Sequence, residues 1–277
     1  MNGKTALVTG AASGIGRATA LALAERGADL FLCDLDEPGL AETEAAVSEL
    51  GRQALCRRVD VADADAMRAF AETVHARVPA VDLLVNNAGV VIGGGLLDTP
   101  LDDWDWILGI NLRGVIHGCH FFAPAMVTRA AGGHIVNLSS VAGYLGVEVL
   151  AAYSTTKFGV FGLSEALRDE LAHHDIGVTA VCPGIIDTPI IRNARLRGPM
   201  LEGPEAREGI VAAYQRRNYT PERVAAAILE AVAKNRAVAP VSLEAWAAWY
   251  LKRAAPWLLR WVNARAGERR RRQLGLD

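Results

Sequence analysis

The 277-residue sequence has few cysteines, almost no net charge and no long apolar run. Its four cysteines include no CxxC pair and lie in apolar segments, which indicates buried, reduced thiols and no disulfide framework. A formal net charge of −2 gives no reason to expect nucleic acid binding. No apolar run approaches the roughly 18 residues of a membrane span. The first apolar segment begins at Thr5, so we expect no cleaved leader and a cytoplasmic protein.

Short β-rich runs alternate with longer alanine-rich segments of helical spacing, in a chain that is 51% apolar. Strands are predicted at Thr5–Thr9, Asp29–Asp34, Ala54–Asp60, Asp82–Asn86, His134–Ser139, Gly177–Cys182 and Ala237–Val241. Predicted helices include Ile15–Arg26, Glu37–Leu50, Asp63–Arg77 and Tyr153–His173. The strands are continuous apolar runs, as in a sheet that is buried on both faces. The pattern predicts one α/β domain with a doubly wound parallel sheet of about seven strands.

A glycine-rich turn, TGAASGIG, joins the first predicted strand to the first helix. Gly10, Gly14 and Gly16 let the backbone turn sharply and approach a pyrophosphate, which then rests on the amides and positive dipole of the helix N-terminus. Asp34 ends the second strand 18 residues beyond Gly16, where a carboxylate can accept hydrogen bonds from an adenine ribose. Together these residues predict a dinucleotide site.

The acid that ends the second strand favours NAD over NADP. Its carboxylate would repel the 2′-phosphate of NADP, and neither Leu35 nor Ser13 offers a compensating cation. Arg17 is near enough in sequence to be recruited to a phosphate, so NADP stays possible. Asp60 and Val61 end the third strand and could hold the adenine edge, although Asp60 could equally cap the following helix.

Tyr153 and Lys157 stand four residues apart in AAYSTTKFGVFG, so they share one face of a helix. Hydride transfer at a carbonyl carbon needs a matching proton transfer at oxygen. A neighbouring ammonium favours the phenolate, so we expect Lys157 to pull the pKa of Tyr153 down from its ordinary value near 10. Ser140, 13 residues before Tyr153, could polarise the substrate oxygen, with Ser139 as its competitor.

From Lys4 to Pro189 the sequence resembles the short-chain dehydrogenase/reductase family. The matching pieces, in order, are TGAASGIG, Asp34, DV at 60–61, NNAG at 86–89, Asn111 in INLRGV, VNLSS, YSTTK and PGIIDT. The resemblance implies a Rossmann-type domain in which Tyr153 is the general acid/base, Ser140 polarises the substrate and Lys157 also holds the nicotinamide ribose. It implies that Asn111 anchors a water that passes protons to Lys157. The amide could also simply bond the backbone at a helix kink.

The resemblance implies further cofactor contacts around these catalytic residues. They are expected from Gly10, Ser13, Gly14, Ile15, Gly16, Asp34, Asp60, Val61, Asn87, Ala88, Gly89, Tyr153, Lys157, Pro183, Gly184, Ile186 and Thr188. The hydroxyl of Thr188 could meet the nicotinamide carboxamide, whereas Asn87 suits a structural part better.

The predicted substrate pocket has apolar walls. They are Val91, Ile92, Val141, Leu145, Val147, Leu150, Ile190 and Ile191. The segment 190–218, rich in Gly, Arg and Pro, is where the family places a substrate-covering lid. An apolar pocket under a lid indicates a lipophilic secondary alcohol or ketone.

Residues 243–277 form a predicted helical extension beyond the Rossmann-type domain of residues 1–242. The extension carries Trp246, Trp249, Trp257 and Trp261 on helical patterns interrupted by Pro256, then four arginines from Arg269 to Arg272. A basic helix with tryptophans is typical of peripheral membrane contact. We favour the alternative, in which the tryptophans pack over the substrate lobe or a sister subunit and the arginines are solvated.

The histidines do not indicate a metal site, because the pairs His117/His120 and His173/His174 lack carboxylates or cysteines at ligand spacing. The family resemblance alone implies a homodimer or homotetramer that pairs through the helices from Leu112 and from Tyr153.

The sequence therefore predicts an NAD-dependent oxidoreductase that interconverts a lipophilic secondary alcohol and a ketone. A non-catalytic dinucleotide-binding regulator is the alternative from another class, and the presence of both Tyr153 and Lys157 counts against it. An NADP-dependent 3-oxoacyl reductase is the alternative within the enzyme class, and Asp34 counts against that.

Overall fold

The computed structural model describes residues 1–199, 201 and 203–273, and its strands form one large and one very small sheet. The strands are β1 (Thr5–Thr9), β2 (Asp29–Asp34), β3 (Ala54–Arg58), β4 (Leu83–Asn86), β5 (Ile92–Gly93), β6 (Gly133–Leu138), β7 (Ile176–Pro183), β8 (Arg195–Leu196) and β9 (Val238–Val241). The helices are α1 (Gly14–Ala24), α2 (Glu37–Glu49), α3 (Ala64–His75), α4 (Leu101–Leu108), α5 (Gly114–Arg129), α6 (Ala151–Leu171), α7 (Pro204–Arg217), α8 (Pro221–Ala233), α9 (Leu243–Ala254) and α10 (Pro256–Gln273). Met200 and Glu202 of the predicted lid, and residues 274–277 of the predicted extension, lie outside the described residues.

The large sheet is buried on both faces because alternate strand residues enter two separate apolar clusters. In β1, Ala6 and Val8 pack on one side with α1, α2 and α8, whereas Leu7 packs on the other with α3, α5 and α6. The predicted doubly wound α/β fold with a seven-stranded parallel sheet is confirmed.

Strand order β3-β2-β1-β4-β6-β7-β9 places the reversal of winding between β1 and β4. Ligands of open α/β sheets bind in the crevice beyond the strand ends at such a switch point. The glycine turn leaves β1 and the NNAG turn leaves β4, so the two motifs meet there. A Cβ on Gly10 would lie 2.7 Å from the Cα of Ala88.

The seven predicted strands are all present, and their ends differ from the prediction by at most two residues. The small parallel sheet of β5 and β8 was not predicted, because two residues per strand are too few for a periodic pattern. Between α4 and α5 the helix widens into a π turn over Gly109–Arg113, a feature that often marks functional sites.

The extension forms α9 and α10, which are separated where Pro256 was predicted to interrupt the helical pattern. A proline disfavours helical backbone at the preceding residue, and Ala255 has φ −146° and ψ 65°. Among the described residues, no helix is both long and apolar enough to cross a membrane. The cytoplasmic location and the domain boundary at 242 stay predictions.

Candidate active site

The glycine turn after β1 is shaped by left-handed backbone and close packing. Gly10 and Gly14 have φ of +67° and +52°, which favour glycine. At Gly16 an added Cβ would overlap the carbonyl oxygen of Gly10, so α1 could not approach the turn with a larger residue. Ser13 occupies the N-cap position of α1, and the described structure shows neither a capping bond from its side chain nor an acid in the first turn. The amides at this helix end therefore face the crevice without an internal anion.

Asp34 lies at the carboxyl end of β2, beside the glycine turn. Its Oδ2 accepts a hydrogen bond from the Ala12 amide at 3.0 Å, and its Oδ1 accepts from the amides of Leu35 and Asp36 at 2.7 and 3.1 Å. The carboxylate is thus fixed toward the turn. Arg17, which could have served a phosphate, pairs with Glu42 at 2.8 Å.

Residues 60 and 61 form the far wall of the crevice. Asp60 is exposed, and its Oδ1 accepts from the Ala62 amide at 2.9 Å. It does not cap α3, because the N-cap is Asp63, whose carboxylate accepts from the amides of Asp65 and Ala66. The helix-cap alternative for Asp60 is therefore wrong, whereas an adenine contact stays a prediction. Val61 is buried, with 6% of its surface exposed.

The NNAG turn braces the glycine turn. The Asn87 side-chain amide donates to the carbonyl oxygens of Thr9 and Gly10 at 2.9 and 3.0 Å, which is the structural part expected for it. A Cβ on Gly89 would lie 3.6 Å from Lys157 Nζ, so the NNAG turn lies directly beside the predicted catalytic lysine.

The PGIIDT segment after β7 closes the opposite side. A Cβ on Gly14 would lie 3.4 Å from Thr188 Cγ2, which places Thr188 against the glycine turn. Ile186 is buried, and Gly184 lies so close to Ser242 and Glu244 that a Cβ there would overlap their side chains. Pro183 is buried at the end of β7.

The predicted catalytic residues come together at the end of β6 and the start of α6. Lys157 Nζ lies 5.6 Å from the centre of the Tyr153 ring and donates to the Leu138 carbonyl oxygen at 2.8 Å. The Ser140 hydroxyl accepts from the Ala142 amide at 3.1 Å, donates to the Pro183 carbonyl oxygen at 3.5 Å, and is close enough to Tyr153 to lower the pKa of its phenol. Ser139 instead donates to the Lys157 carbonyl oxygen at 2.9 Å, so it fastens α6 and is turned away from Tyr153. The geometry favours Ser140 over Ser139 as the polarising hydroxyl.

The predicted effect of Lys157 on the pKa of Tyr153 is wrong. Burial raises the pKa of Tyr153 to about 12, and the nearby Ser140 hydroxyl offsets only part of that rise. Lys157 is itself desolvated, which lowers its pKa to about 8. Burial therefore dominates both groups and favours their neutral forms.

Asn111 lies in the π turn and is completely buried. Its Oδ1 accepts from the Val90 amide at 2.8 Å and its Nδ2 donates to the Val90 carbonyl oxygen at 2.9 Å. The Asn111 side chain thus hydrogen-bonds to the backbone at a helix irregularity, which is the second of the two roles predicted for it. A Cβ on Gly89 would lie 3.3 Å from Asn111 Oδ1 as well as near Lys157, so both side chains border the same small space.

Five of the eight predicted pocket residues are partly exposed, and three are buried. The partly exposed members are Val141, Leu145, Val147, Leu150 and Ile190. Val91 and Ile191 each expose 8%, and Ile92 exposes 0% in an apolar cluster with Ile107 and Ala152, against which Tyr153 also packs. The pocket walls stay a prediction.

Two groups of ion pairs that tie down the lid segment were not predicted. The first joins Asp103 of α4, 3% exposed, to Arg195 at 2.7 Å and Arg197 at 2.6 Å, which holds β8. The hydrogen bond from Arg197 is the largest cause that lowers the pKa of Asp103. The second joins Arg217, at the end of α7, to Glu244 of α9.

Tyr214 of α7 is a further residue that sequence reasoning missed. Burial raises the pKa of its phenol, and Tyr214 contributes to the raised pKa of Tyr153. No pattern in the sequence indicated this, because α7 is strongly polar and Tyr214 is its only aromatic residue.

The tryptophans of the extension divide into two groups. Trp249 packs with Tyr144 and Phe161 at ring distances of 5.3 and 5.7 Å, which agrees with the favoured prediction of packing over the substrate lobe. Trp257 and Trp261 are 66% and 55% exposed, so packing within this chain does not account for them.

A doubly wound sheet with a glycine turn at its switch point, and a tyrosine–lysine pair beside that turn, defines a dinucleotide-binding oxidoreductase. The family model "short chain dehydrogenase" matches residues 4–197. The chain belongs to the short-chain dehydrogenase family.

Relatives and solved structures agree with this assignment. The chain is 43% identical over 256 residues to "Probable oxidoreductase EphD" of Mycobacterium tuberculosis, covering 91% of this chain but 43% of EphD. It is 40% identical over 255 residues to the oxidoreductase SadH of the same bacterium, covering 91% of this chain and 90% of SadH. A Burkholderia phymatum short chain dehydrogenase/reductase solved in complex with NAD superimposes with a TM-score of 0.83 at 32% identity, over 93% of this chain and 95% of that one. The chain thus spans less than half the length of EphD.

Proposed function

We propose that this protein is an NAD-dependent oxidoreductase that interconverts a lipophilic secondary alcohol and its ketone. The observation that carries the proposal is the buried group of Tyr153, Ser140 and Lys157 beside a glycine turn whose amides face the crevice. The NAD complex of the Burkholderia phymatum relative supports the choice of cofactor.

The residues at the switch point fit a dinucleotide. The α1 amides suit a pyrophosphate, and the fixed carboxylate of Asp34 suits the adenine ribose hydroxyls and opposes a 2′-phosphate. Lys157, beside Gly89 of the NNAG turn, suits the second ribose, and Thr188, beside Gly14, suits the carboxamide. When bound, the nicotinamide gives or accepts the hydride at the substrate carbon.

Tyr153 manages the proton at the substrate oxygen. With a pKa of about 12 it is a phenol near neutral pH, so it can donate to the carbonyl oxygen as a C–H bond forms at the carbon. In the opposite direction Tyr153 must accept the hydroxyl proton, which alkaline pH favours. Ser140 holds the same oxygen in place and polarises it.

Lys157 and Asn111 support this transfer. Lys157 has a pKa of about 8, which suits a group that returns a proton to Tyr153. Asn111 fixes the backbone around Val90 and borders the same space as Lys157, which suits a water between them. In this proposal Asn111 is a positioning residue.

The substrate is proposed to be lipophilic because the partly exposed side chains of the pocket rim are apolar. Val141, Leu145 and Val147 lie on one segment, and Ile190, at the start of the lid segment, is partly exposed as they are. A fixed lid base at Asp103, and a lid helix whose Tyr214 contributes to the raised pKa of Tyr153, suit a pocket that excludes water.

The proposal includes a homodimer or homotetramer formed through α5 and α6. Ile116 of α5 and Phe158 of α6 are 42% and 41% exposed, as suits helix faces that pair with a second copy.

The test is NADH formation with a series of secondary alcohols of increasing size, repeated with NADP, for wild type and Tyr153→Phe. We expect larger apolar alcohols and NAD to be preferred, and Tyr153→Phe to bind NADH normally while losing at least about 1,000-fold in turnover because the proton carrier is gone. Tyr250→Phe is the matched control, since Tyr250 is 62% exposed on α9, and it should keep full turnover.

Undiminished turnover of Tyr153→Phe would reject the catalytic assignment. Cofactor binding without turnover on any alcohol or ketone would favour the regulator. A preference for NADP and acyl-thioester substrates would favour the 3-oxoacyl reductase, and a preference for small hydrophilic diols would reject the lipophilic pocket.

A further inference from the structure

The outer faces of α9 and α10 expose a set of large apolar side chains. On α9 the exposed residues recur at the spacing of one helix face: Leu243, Ala247, Tyr250 and Ala254. On α10 Trp257 and Trp261, one turn apart, are 66% and 55% exposed. Isolated exposed apolar residues are ordinary, but aromatic residues repeated along two consecutive helices mark an interaction surface. We call these six residues the docking face.

The same segment concentrates positive charge. Between Leu243 and Gln273 the sequence holds eight lysines and arginines against two glutamates, although the whole chain has a net charge of −2. Arg265 lies over the ring of Trp261, 5.4 Å from its centre, and Arg260 is exposed on the same helix. Tryptophan beside arginine is the side-chain combination found where protein meets lipid head groups.

The docking face lies beside the pocket rim. Asn263 of α10 donates to the Gly146 carbonyl oxygen at 3.4 Å, and Gly267 packs against Glu148 so closely that a Cβ would overlap its carboxylate. The segment that follows β5 is also joined to this rim, because the Gly94 amide donates to the Val149 carbonyl oxygen at 2.8 Å. Just beyond Gly94 the chain exposes two further apolar residues, Leu96 at 68% and Leu97 at 98%.

We propose that the docking face binds the surface of an anionic lipid bilayer. The aromatic rings would enter the interface while the arginines meet anionic head groups, without any segment crossing the bilayer. A second copy of this chain fits less well, because a symmetric contact would bring two strongly basic segments together. The pocket rim would then open toward the membrane, which suits a lipophilic substrate; this last clause rests on the proposed function.

The test is cosedimentation of the purified full-length chain with vesicles of phosphatidylcholine alone, or of phosphatidylcholine and phosphatidylglycerol at about 7:3. We expect binding to the anionic vesicles, little to the neutral ones, and release as salt is raised. Trp257→Ala/Trp261→Ala should lose binding. Arg260→Glu/Arg265→Glu should weaken it by about 30-fold or more, since each basic residue contributes close to a factor of five near an anionic surface.

The matched control is Arg26→Glu/Arg77→Glu, which changes the net charge equally. Arg26 and Arg77 are exposed just past the ends of α1 and α3, at the edge of the sheet opposite the crevice, so this control should bind like wild type. Circular dichroism and the unfolding midpoint of each variant establish that it is folded.

Three results would overturn the proposal. The wild type could fail to bind anionic vesicles, or the control variant could lose as much binding as Arg260→Glu/Arg265→Glu. The third is a wild-type dimer that does not bind vesicles and that Trp257→Ala/Trp261→Ala dissociates. The vesicle assay needs no turnover. If the protein binds vesicles but has no activity, only the proposed function is refuted. If it is active but does not bind vesicles, only this inference is refuted.

Discussion

Replacing Lys157 by methionine should change how the free energy of unfolding depends on pH. In the folded protein burial lowers the pKa of Lys157 from 10.5 to about 8. Between those two values the unfolded chain keeps the proton and the folded chain has lost it, so the stability of wild type rises with pH in this window. Below pH 8 both states are protonated, and the folded state bears the full unfavourable free energy of a buried ammonium.

The size of the effect follows from the shift. A change of one pKa unit corresponds to about 1.4 kcal/mol, so the difference in unfolding free energy between wild type and Lys157→Met should change by about 3 kcal/mol from pH 7 to pH 11. Its steepest slope, near the middle of the window, is about 1.2 kcal/mol per pH unit. Methionine has a similar length and volume, so it leaves little cavity, although the Leu138 carbonyl oxygen loses its partner.

The assay is urea unfolding followed by far-ultraviolet circular dichroism, at fixed protein concentration and without dinucleotide, because ligand and subunit association add their own free energy. Buried cysteines and Tyr153 also titrate in alkali, but they are common to both proteins and drop out of the difference. Lys252→Met, at an exposed position of α9, is the control and should run parallel to wild type. Parallel curves for wild type and Lys157→Met would refute the claim that burial sets the state of the catalytic pair.

Two further predictions concern the acid that ends β2 and the residue between β9 and α9. Asp34→Asn should raise kcat/KM for NADP relative to NAD by about 10- to 100-fold, because it removes a charge near the 2′-phosphate. The asparagine Oδ1 can still accept hydrogen bonds from backbone amides, so the turn should keep its shape. An unchanged ratio of the two kcat/KM values would show that Asp34 does not select the cofactor. Ser242→Gly should raise the free energy of unfolding by about 1 kcal/mol, because Ser242 has φ +105° and a buried hydroxyl without a hydrogen-bond partner in the described structure. A urea midpoint that falls in Ser242→Gly would contradict that account.

Much of the fold and the crevice could be predicted because their signals are local in sequence. Each strand is an uninterrupted apolar run, and the ligand-binding turns follow strand ends directly. Gly16 is required by the carbonyl oxygen of Gly10 six residues earlier, so this part of the motif is explained within the motif, whereas Gly10 is required by its left-handed φ and by the approach of Ala88 from the NNAG turn. Asp34 is placed by the length of one helix and one strand. Because the strands are parallel, these short motifs at their carboxyl ends lie at the same edge of the sheet.

What could not be predicted depends on residues that are distant in sequence. Asp103 meets Arg195 and Arg197 across 92 and 94 positions, and neither the acid nor the arginines belong to a pattern. The predicted lowering of the Tyr153 pKa was wrong for the same reason. A spacing of four residues shows that Tyr153 and Lys157 can meet, but how far packing excludes water from them is set by the whole fold.

One carboxylate of the extension contacts both the lid helix and the segment that follows β7. Glu244, in the first turn of α9, accepts a hydrogen bond from the Ile185 amide at 3.3 Å and also pairs with Arg217 at the end of α7. One side chain thus contacts the segment proposed to face nicotinamide, the lid helix and the helix that begins the docking face. Because α9 cannot shift without moving or breaking these contacts, a surface that holds α9 also restrains the lid and the cofactor wall. Through these contacts α9 packs as one unit with the lid helix and the segment after β7, even though the sequence pattern sets the extension apart.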